Sequence, residues 1–433
     1  MSYDPSFAAR QISFQRISAV ILVLISTYFG VTVPELNAQE RATSVSRVRK
    51  SGKSPNQRRN RTEPKTISDE QAEKPKMIRL DPQADKNIKG PFTEIATEFG
   101  ISPPISEIPE VNGTRPPPAG EYTIKKKNYL GKIVNRVPLG LTFAPQFDFL
   151  AKRSRDENSL EQPQAMPSPS MTFNGILSND LLTSFLTTSM PPDTVGDVGP
   201  NHYVQATNFG VFRVFDKSTG AALTSTARIR TLFSGLSASS PCRNQDDGDP
   251  VVNYDPLADR WVVSQFAVSG STDGQCVAVS TTSDPTGSWY GYFFQQPNTN
   301  FPDYPHWGVW TDAYYCATHD FNAAGTAYIE GSFWAFDRDK MIAGDPTASY
   351  IRFSRAASYG QMPVDLDGYM PPASGTPAMF FEFQAGEFGE AGGDGILGWE
   401  FVPNFATPAS STFTIKPHLA LAAFDPTDVG NYV

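Results

Sequence analysis

The stretch from Cys242 to Gln296 restricts the fold of this chain more than any other. Four short runs rich in β-branched and aromatic residues, Val251–Tyr254, Arg260–Phe266, Gln275–Thr282 and Trp289–Gln296, follow one another closely. Pro256–Asp259, Ser269–Gly274 and Ser283–Ser288 separate them, and their Gly, Pro, Asp and Ser content marks turns. None of the runs is long enough for an ordinary helix. The spacing predicts a four-stranded antiparallel meander, the size of one β-propeller blade.

Parts of that pattern recur. Asp193, Asp249, Asp303 and Asp365 stand 56, 54 and 62 positions apart. In the first three, the aspartate precedes an aromatic that opens a second strand, at Tyr203, Trp261 and Tyr314; the fourth is looser. A third-strand pattern repeats at Gly210–Phe215, Ser332–Phe336 and Gly398–Phe401. One twisted sheet cannot bury both of its faces alone, whereas sheets packed face to face around an axis can. The expected fold class is therefore all-β, a propeller of about four blades over 171–433. His418–Phe424 reads as the start of a fifth blade, so the propeller is expected to be incomplete at Val433. The abundance of Gly (33) and Pro (37) suits such a turn-rich fold.

The N-terminal part differs. Arg10 and Arg16 precede the apolar run Ile17–Val33, and Ala38 offers a small residue for cleavage, so 1–38 reads as a signal peptide or an uncleaved signal anchor. Residues 39–170 read as a basic, Pro-rich linker with little regular structure. Local exceptions are a helical turn or two at Phe92–Phe99 and a hairpin at Tyr122–Val134. Residues 39–80 hold twelve Lys/Arg against five Asp/Glu in a chain of net charge −9, which leaves the remainder strongly acidic. That balance excludes a nucleic-acid partner. The expected location is secreted or at the cell surface, with membrane contact only through an uncleaved N-terminal segment. An oxidising compartment favours a Cys242–Cys276 bridge, and Cys316, in an aromatic strand, reads as a buried filler.

The wording Pro191-Pro192-Asp193-Thr194-Val195-Gly196-Asp197-Val198-Gly199-Pro200-Asn201-His202-Tyr203-Val204-Gln205 resembles a family of secreted bacterial β-propeller proteins within the sialidase-like, Asp-box-like propellers. So do Asp247–Val252 with Ala258–Trp261, Thr282–Trp289, Asp303–Pro305 with Gly308–Trp310, and Asp337–Met341, in order, over about Met171 to Phe424. The resemblance implies an extracellular protein, often joined to adhesive or anchoring modules, with no settled activity. It implies that Cys242 and Cys276 fall at positions where the family carries cysteine. It also implies that relatives continue beyond this chain's end.

Four convergent aspartates, Asp193, Asp249, Asp303 and Asp365, form the best ligand-binding constellation. Oxygen atoms grouped near one mouth of a propeller suit Ca2+ or the hydroxyls of a sugar. Asp246, Asp247 and Asp249 are dense enough for a local Ca2+ site. The plainer reading is that each aspartate caps its own turn. Glu330 and Glu382 are candidate acids or bases in strand contexts. Ser283–Trp289 reads as a hairpin-stabilising turn, and His202, His306, His319 and His418 lack zinc-site spacing. The aromatic runs Trp289–Phe294 and Trp307–Trp310 read as core between blades. The function expected is a non-catalytic binding or adhesion module for an extracellular glycan or protein. The alternative is an extracellular glycoside hydrolase of sialidase-like fold.

Overall fold

The computed structural model describes residues 77–78, 87–108, 169–185 and 192–421, except 209, 269–271, 357, 369 and 385–392. The signal segment, the basic segment apart from residues 77–78, and the Tyr122–Val134 hairpin lie outside these residues. The chain divides into a larger unit, 80–382 with 397–417, and a smaller one whose described residues are 77–78, 383–384, 393–396 and 418–421. Among the described residues, no helix is long and apolar enough to cross a membrane.

In chain order, β1 (Met77–Ile78), β2 (Ile88–Ile95) and β3 (Glu98–Ile101) precede the repeated sheets. The first sheet comprises β4 (Val195–Val198), β5 (His202–Thr207), β6 (Val211–Asp216) and β7 (Ala227–Arg228). The second has β8 (Val251–Asp255), β9 (Arg260–Ala267), β10 (Gly274–Ser280) and β11 (Trp289–Gln295). The third has β12 (Phe301–Val309), β13 (Tyr314–Phe321), β14 (Tyr328–Phe336) and β15 (Ser349–Arg355). The fourth begins with β16 (Gln361–Pro363), β17 (Ala378–Gln384) and β18 (Gly395–Val402), and β18 also pairs with β19 (Thr412–Ile415). Each is an antiparallel meander, and the strands of the second sheet match the sequence expectation within one or two residues. The fold is all-β and propeller-like.

Strand alternation explains the packing. Side chains of period two point to opposite faces, so each meander carries two apolar surfaces. Val204, Phe212 and Val214 of the first sheet meet Trp261, Val263, Cys276 and Trp289 of the second. The intervening positions Val262, Val277, Val279 and Phe294 face the third sheet's Trp307, Tyr314, Trp334 and Tyr350. Tyr315, Phe333 and Ile351, on the third sheet's other face, meet Phe380, Leu397, Trp399 and Phe413. The aromatic runs at Trp289–Phe294 and Trp307 are thus core, and Cys316 is a buried free thiol.

Polar ties cross the sheet boundaries. Asp255, at the end of β8, accepts hydrogen bonds from Arg338 Nε (2.7 Å), Arg338 Nη2 (3.1 Å) and the Tyr314 hydroxyl (2.9 Å). The same carboxylate caps its own turn at the Leu257 and Ala258 amides. Cys242 is disulfide-bonded to Cys276, 34 positions away, and both are fully buried. The bridge fastens the short helix Pro241–Asn244 to β10.

Two expectations need correction. Phe92–Phe99 is not helical: β2 pairs along the outer edge of β15, the chain crosses at Ala96–Thr97, and β3 pairs along the outer edge of β11. Regular structure therefore occurs inside the stretch expected to be linker. This segment has no core of its own, but its backbone groups are satisfied by two sheets that already exist. The second correction concerns β20 (His418–Ala420). In the smaller unit β20 pairs with Gly395–Ile396 and with β1, so the described part of this segment joins existing strands and does not open a fifth sheet.

Candidate functional site

The first strands of the four sheets, β4, β8, β12 and β16, lie side by side in chain order. Their cross-strand registers sort the candidate aspartates into layers. Val195 pairs with Ala206, so Asp193 lies opposite Asn208. Val251 pairs with Ser264, so Asp249 lies opposite Phe266. Asp303 pairs with His319, and Gln361 with Glu382. Asp193, Asp249, Asp303 and Gln361 are equivalent by this count. Asp365, four residues further on, faces Ala378 and matches Asp197 and Asn253. The expectation that Asp365 shares the layer of the other three is therefore corrected. The connection before β17 is longer than in the other sheets, so the aspartate-to-aromatic spacing does not carry over, and the equivalent position holds Gln361.

Three of the four aspartates do come together. Asn208 Nδ2 donates to Asp193 Oδ2 (2.7 Å), and Asn208 Oδ1 accepts from the Asp249 amide (3.4 Å). The Asp249 carboxyl is in turn hydrogen-bonded to the carboxyl of Asp303, whose other partner is the Tyr304 amide (2.8 Å). Two carboxylates cannot hydrogen-bond to each other unless one carries a proton. Burial, then the neighbouring Asp193 charge, pushes Asp249 up to about 7. Burial and Asp249 raise Asp303 well above the ordinary carboxylate range. Asp193 is raised too, chiefly by loss of hydration at its carboxyl end, although the residue as a whole presents an exposed surface.

The backbone is bent to make this contact. Asp193, Asp249 and Tyr304 have φ of 38°, 46° and 53°. Side chains rarely adopt the left-handed region, and Tyr less readily than Asp, so each position costs on the order of 1 kcal/mol. At Asp303 the β12–β13 register shifts before resuming at His306. The Tyr304 ring stacks on His319 (5.2 Å between centroids) and packs edge-on to His306 (4.6 Å). His319 stacks on Tyr359 as well (4.3 Å) and accepts a hydrogen bond at Nε2 from the Gly360 amide (2.7 Å). Burial lowers His306 to about 4, so it is uncharged at neutral pH.

The second layer binds neighbouring first strands to one another. Asp197 Oδ2 accepts from the Tyr254 amide of β8 (2.6 Å). Asp365 Oδ1 accepts from the Val309 amide of β12 (2.7 Å), and its Oδ2 from Asn253 Nδ2 (3.2 Å). Burial, with Asp367 and Asp197 nearby, pushes Asp365 up to about 7. These groups hold strands in place. Asp197, Asn208 and Asn253 were not singled out from the sequence. The Asp-x-x-x-Asp/Asn spacing at 193/197 and 249/253 is the signal that carried two of them.

The remaining candidates have separate engagements. Asp246 lies beside Arg228 and Arg230 and accepts from the Arg230 amide (3.0 Å). Burial, offset by those cations, sets it at about 6. Asp247 Oδ2 accepts from the Val268 amide (2.8 Å). Asp246, Asp247 and Asp249 thus turn to three different partners. Among the described residues, no group of three or more His, Cys, Asp or Glu is arranged to hold a metal ion. Glu330 is paired with Arg352 (3.0 Å) and Lys89 (2.8 Å), and despite burial these cations keep it below its ordinary range. Glu382, fully buried, accepts from the Tyr359 amide (3.2 Å). In Ser283–Trp289, Asp284 accepts from the Thr286 amide and Trp289 Nε1 donates to the Pro285 carbonyl, which makes this a structural turn.

No family model matches the chain, and no curated protein matches it. Among solved structures, an exo-1,5-α-L-arabinanase from a bovine ruminal metagenomic library is similar over 52% of this chain and 96% of that one, at 7% identity and a TM-score of 0.21. That likeness is too loose to carry a functional argument, and none of these comparisons supports the expected family of secreted propeller proteins.

Proposed function

We propose that this chain is a secreted or surface-associated β-propeller that binds an extracellular glycan without cleaving it. The acidic mouth at Asp193, Asp249 and Asp303 is the recognition face, and the basic segment at 39–80 serves as its spacer. The observation that carries this reading is the direct Asp249–Asp303 hydrogen bond within a line of groups drawn from two neighbouring sheet junctions. A carboxyl pair bridged by one proton keeps its outer lone pairs as acceptors, which matches the O–H donors of a sugar. The same contact argues against glycoside hydrolysis. That chemistry needs two carboxyl groups about 5 to 9.5 Å apart so that a bond or a water fits between them, and a directly hydrogen-bonded Asp249 and Asp303 do not form such a pair. The disulfide suits an oxidising compartment.

The hydrolase reading keeps one specific support: a carboxyl that stays protonated into the neutral range is what a general acid requires. One comparison separates the two readings. The chain and its Asp249→Asn and Asp303→Asn variants are screened on a glycan array and by titration calorimetry, with reducing-sugar release measured in parallel. Binding without release, weakened at least about tenfold in either variant, is expected. Sugar release by the parent chain that both variants lose would overturn the binding-only reading, and unchanged binding in both would remove the site.

A further inference from the structure

The segment Ile88–Ile101 is the outermost strand of two sheets in turn. Its first half runs along β15, from Arg355 opposite Ile88 to Ser349 opposite Ile95. The Ala96 amide then donates to the Ala348 carbonyl (2.8 Å) and the Thr97 amide to the Phe293 carbonyl (2.8 Å), which passes the chain across in two residues. Its second half runs along β11, and the contact continues through Ser102, Ile105 and Ser106 to the Trp289, Gly287 and Thr286 carbonyls.

The fit depends on the sequence of the segment. A Cβ at Gly100 would lie 2.3 Å from the Gly235 backbone, so only glycine passes there. Glu98 accepts from the Ser237 amide and hydroxyl, Lys89 pairs with Glu330, Phe99 packs on Tyr292, and Ile105 is buried. Without this segment, β11 and β15 would present seven-residue edges with unpaired amides and carbonyls, a template for any free strand. On its C-terminal side no tight turn joins the occupant to the first sheet. Ile101 and Val195, the start of the first sheet, are 94 positions apart, whereas neighbouring strands are usually joined by about 2 to 6 residues.

We infer that the outer edges of the second and third sheets form one bipartite strand-accepting seat, and that residues 87–106 are a transferable ligand for it, which a second copy of this chain can supply. A strand given in trans makes the same backbone and side-chain contacts over 87–106 as one given in cis, so the exchange forfeits none of these contacts. The partner is this segment of another copy because the Gly100 crossing, Glu98 and Lys89 read its sequence.

Ile95 and Ser349 lie directly opposite each other, next to the hydrogen-bonded Ala96–Ala348 step, and neither is buried. Cysteines at such a pair are close enough to join. The double variant I95C/S349C is expected to close a bond within one chain, which checks the seat itself. The single variants I95C and S349C, mixed and oxidised, are expected to yield a dimer joined between positions 95 and 349 by peptide mapping, at a yield that rises with concentration. Intrachain closure of the double variant with no 95–349 dimer from the mixture would overturn the exchange. Failure of the double variant to close would overturn the seat.

Discussion

Raising the pH should destabilise this protein through the Asp249–Asp303 pair, and an Asp249→Asn substitution should remove much of that effect. The folded chain holds Asp249 at about 7, against an ordinary 3.8. A carboxyl whose folded pKa exceeds its unfolded value binds more protons when folded. Stability is therefore full below the unfolded value and falls as pH rises through the window from about 4 to 7. Each unit of difference is worth about 1.4 kcal/mol, so Asp249 alone can cost up to about 4 kcal/mol by pH 8, and Asp303, held well above the ordinary range, extends the fall to higher pH. Asp365 and Asp246 have raised values too and add a fall of the same sign. For that reason the quantity to compare is the difference between the chain and its variant, in which those contributions cancel. Asparagine keeps the shape and donates permanently to Asp303. Urea unfolding followed by tryptophan fluorescence at pH 5, 6, 7 and 8 should give similar stabilities at pH 5. At pH 8 the variant should be the more stable by about 2 to 4 kcal/mol. Parallel pH curves, or a variant less stable at pH 8, would refute the shared proton.

Two further outcomes follow from the ties between sheets. Arg338→Met leaves the Asp255 carboxylate buried with only Tyr314 and its own turn amides, and should cost about 3 to 5 kcal/mol in urea unfolding; a loss below about 1 kcal/mol would mean that the turn amides alone satisfy Asp255. Replacing Cys242 and Cys276 together with alanine removes a bridge spanning 34 positions, and loop-closure entropy puts the loss at about 4 kcal/mol. Thermal unfolding of the double variant checks this, with the reduced parent chain expected to melt at about the same temperature.

Much of the architecture was legible in the order of residues. The strands of the second sheet, its turns and the three third strands with alternating faces follow from runs whose two sides are both apolar, such as Val262-Val263 and Tyr314-Tyr315. Such runs can be satisfied only between two other sheets. The bridge between Cys242 and Cys276 followed from export and resemblance, and both sulfurs lie in one core. The Asp-x-x-x-Asp/Asn spacing at 193/197 and 249/253 has its counterpart at Gln361 and Asp365 in the fourth sheet, which puts Asp365 with Asp197 and Asn253.

What the sequence determined by itself was local: where strands run, where turns fall, and which positions face inward, since these depend on periodicity and on the conformational preferences of single residues. The tertiary structure alone decided which distant groups meet. Asp249 and Asp303 are 54 positions apart, and nothing near either shows that their carboxyl groups meet. Residues 88–101 read as linker because they have nothing to bury among themselves, and they became strands because two other sheets left edges unpaired. In both cases the deciding energy, a desolvated charge or an unsatisfied backbone group, is a property of a place in the fold and not of the residue that fills it.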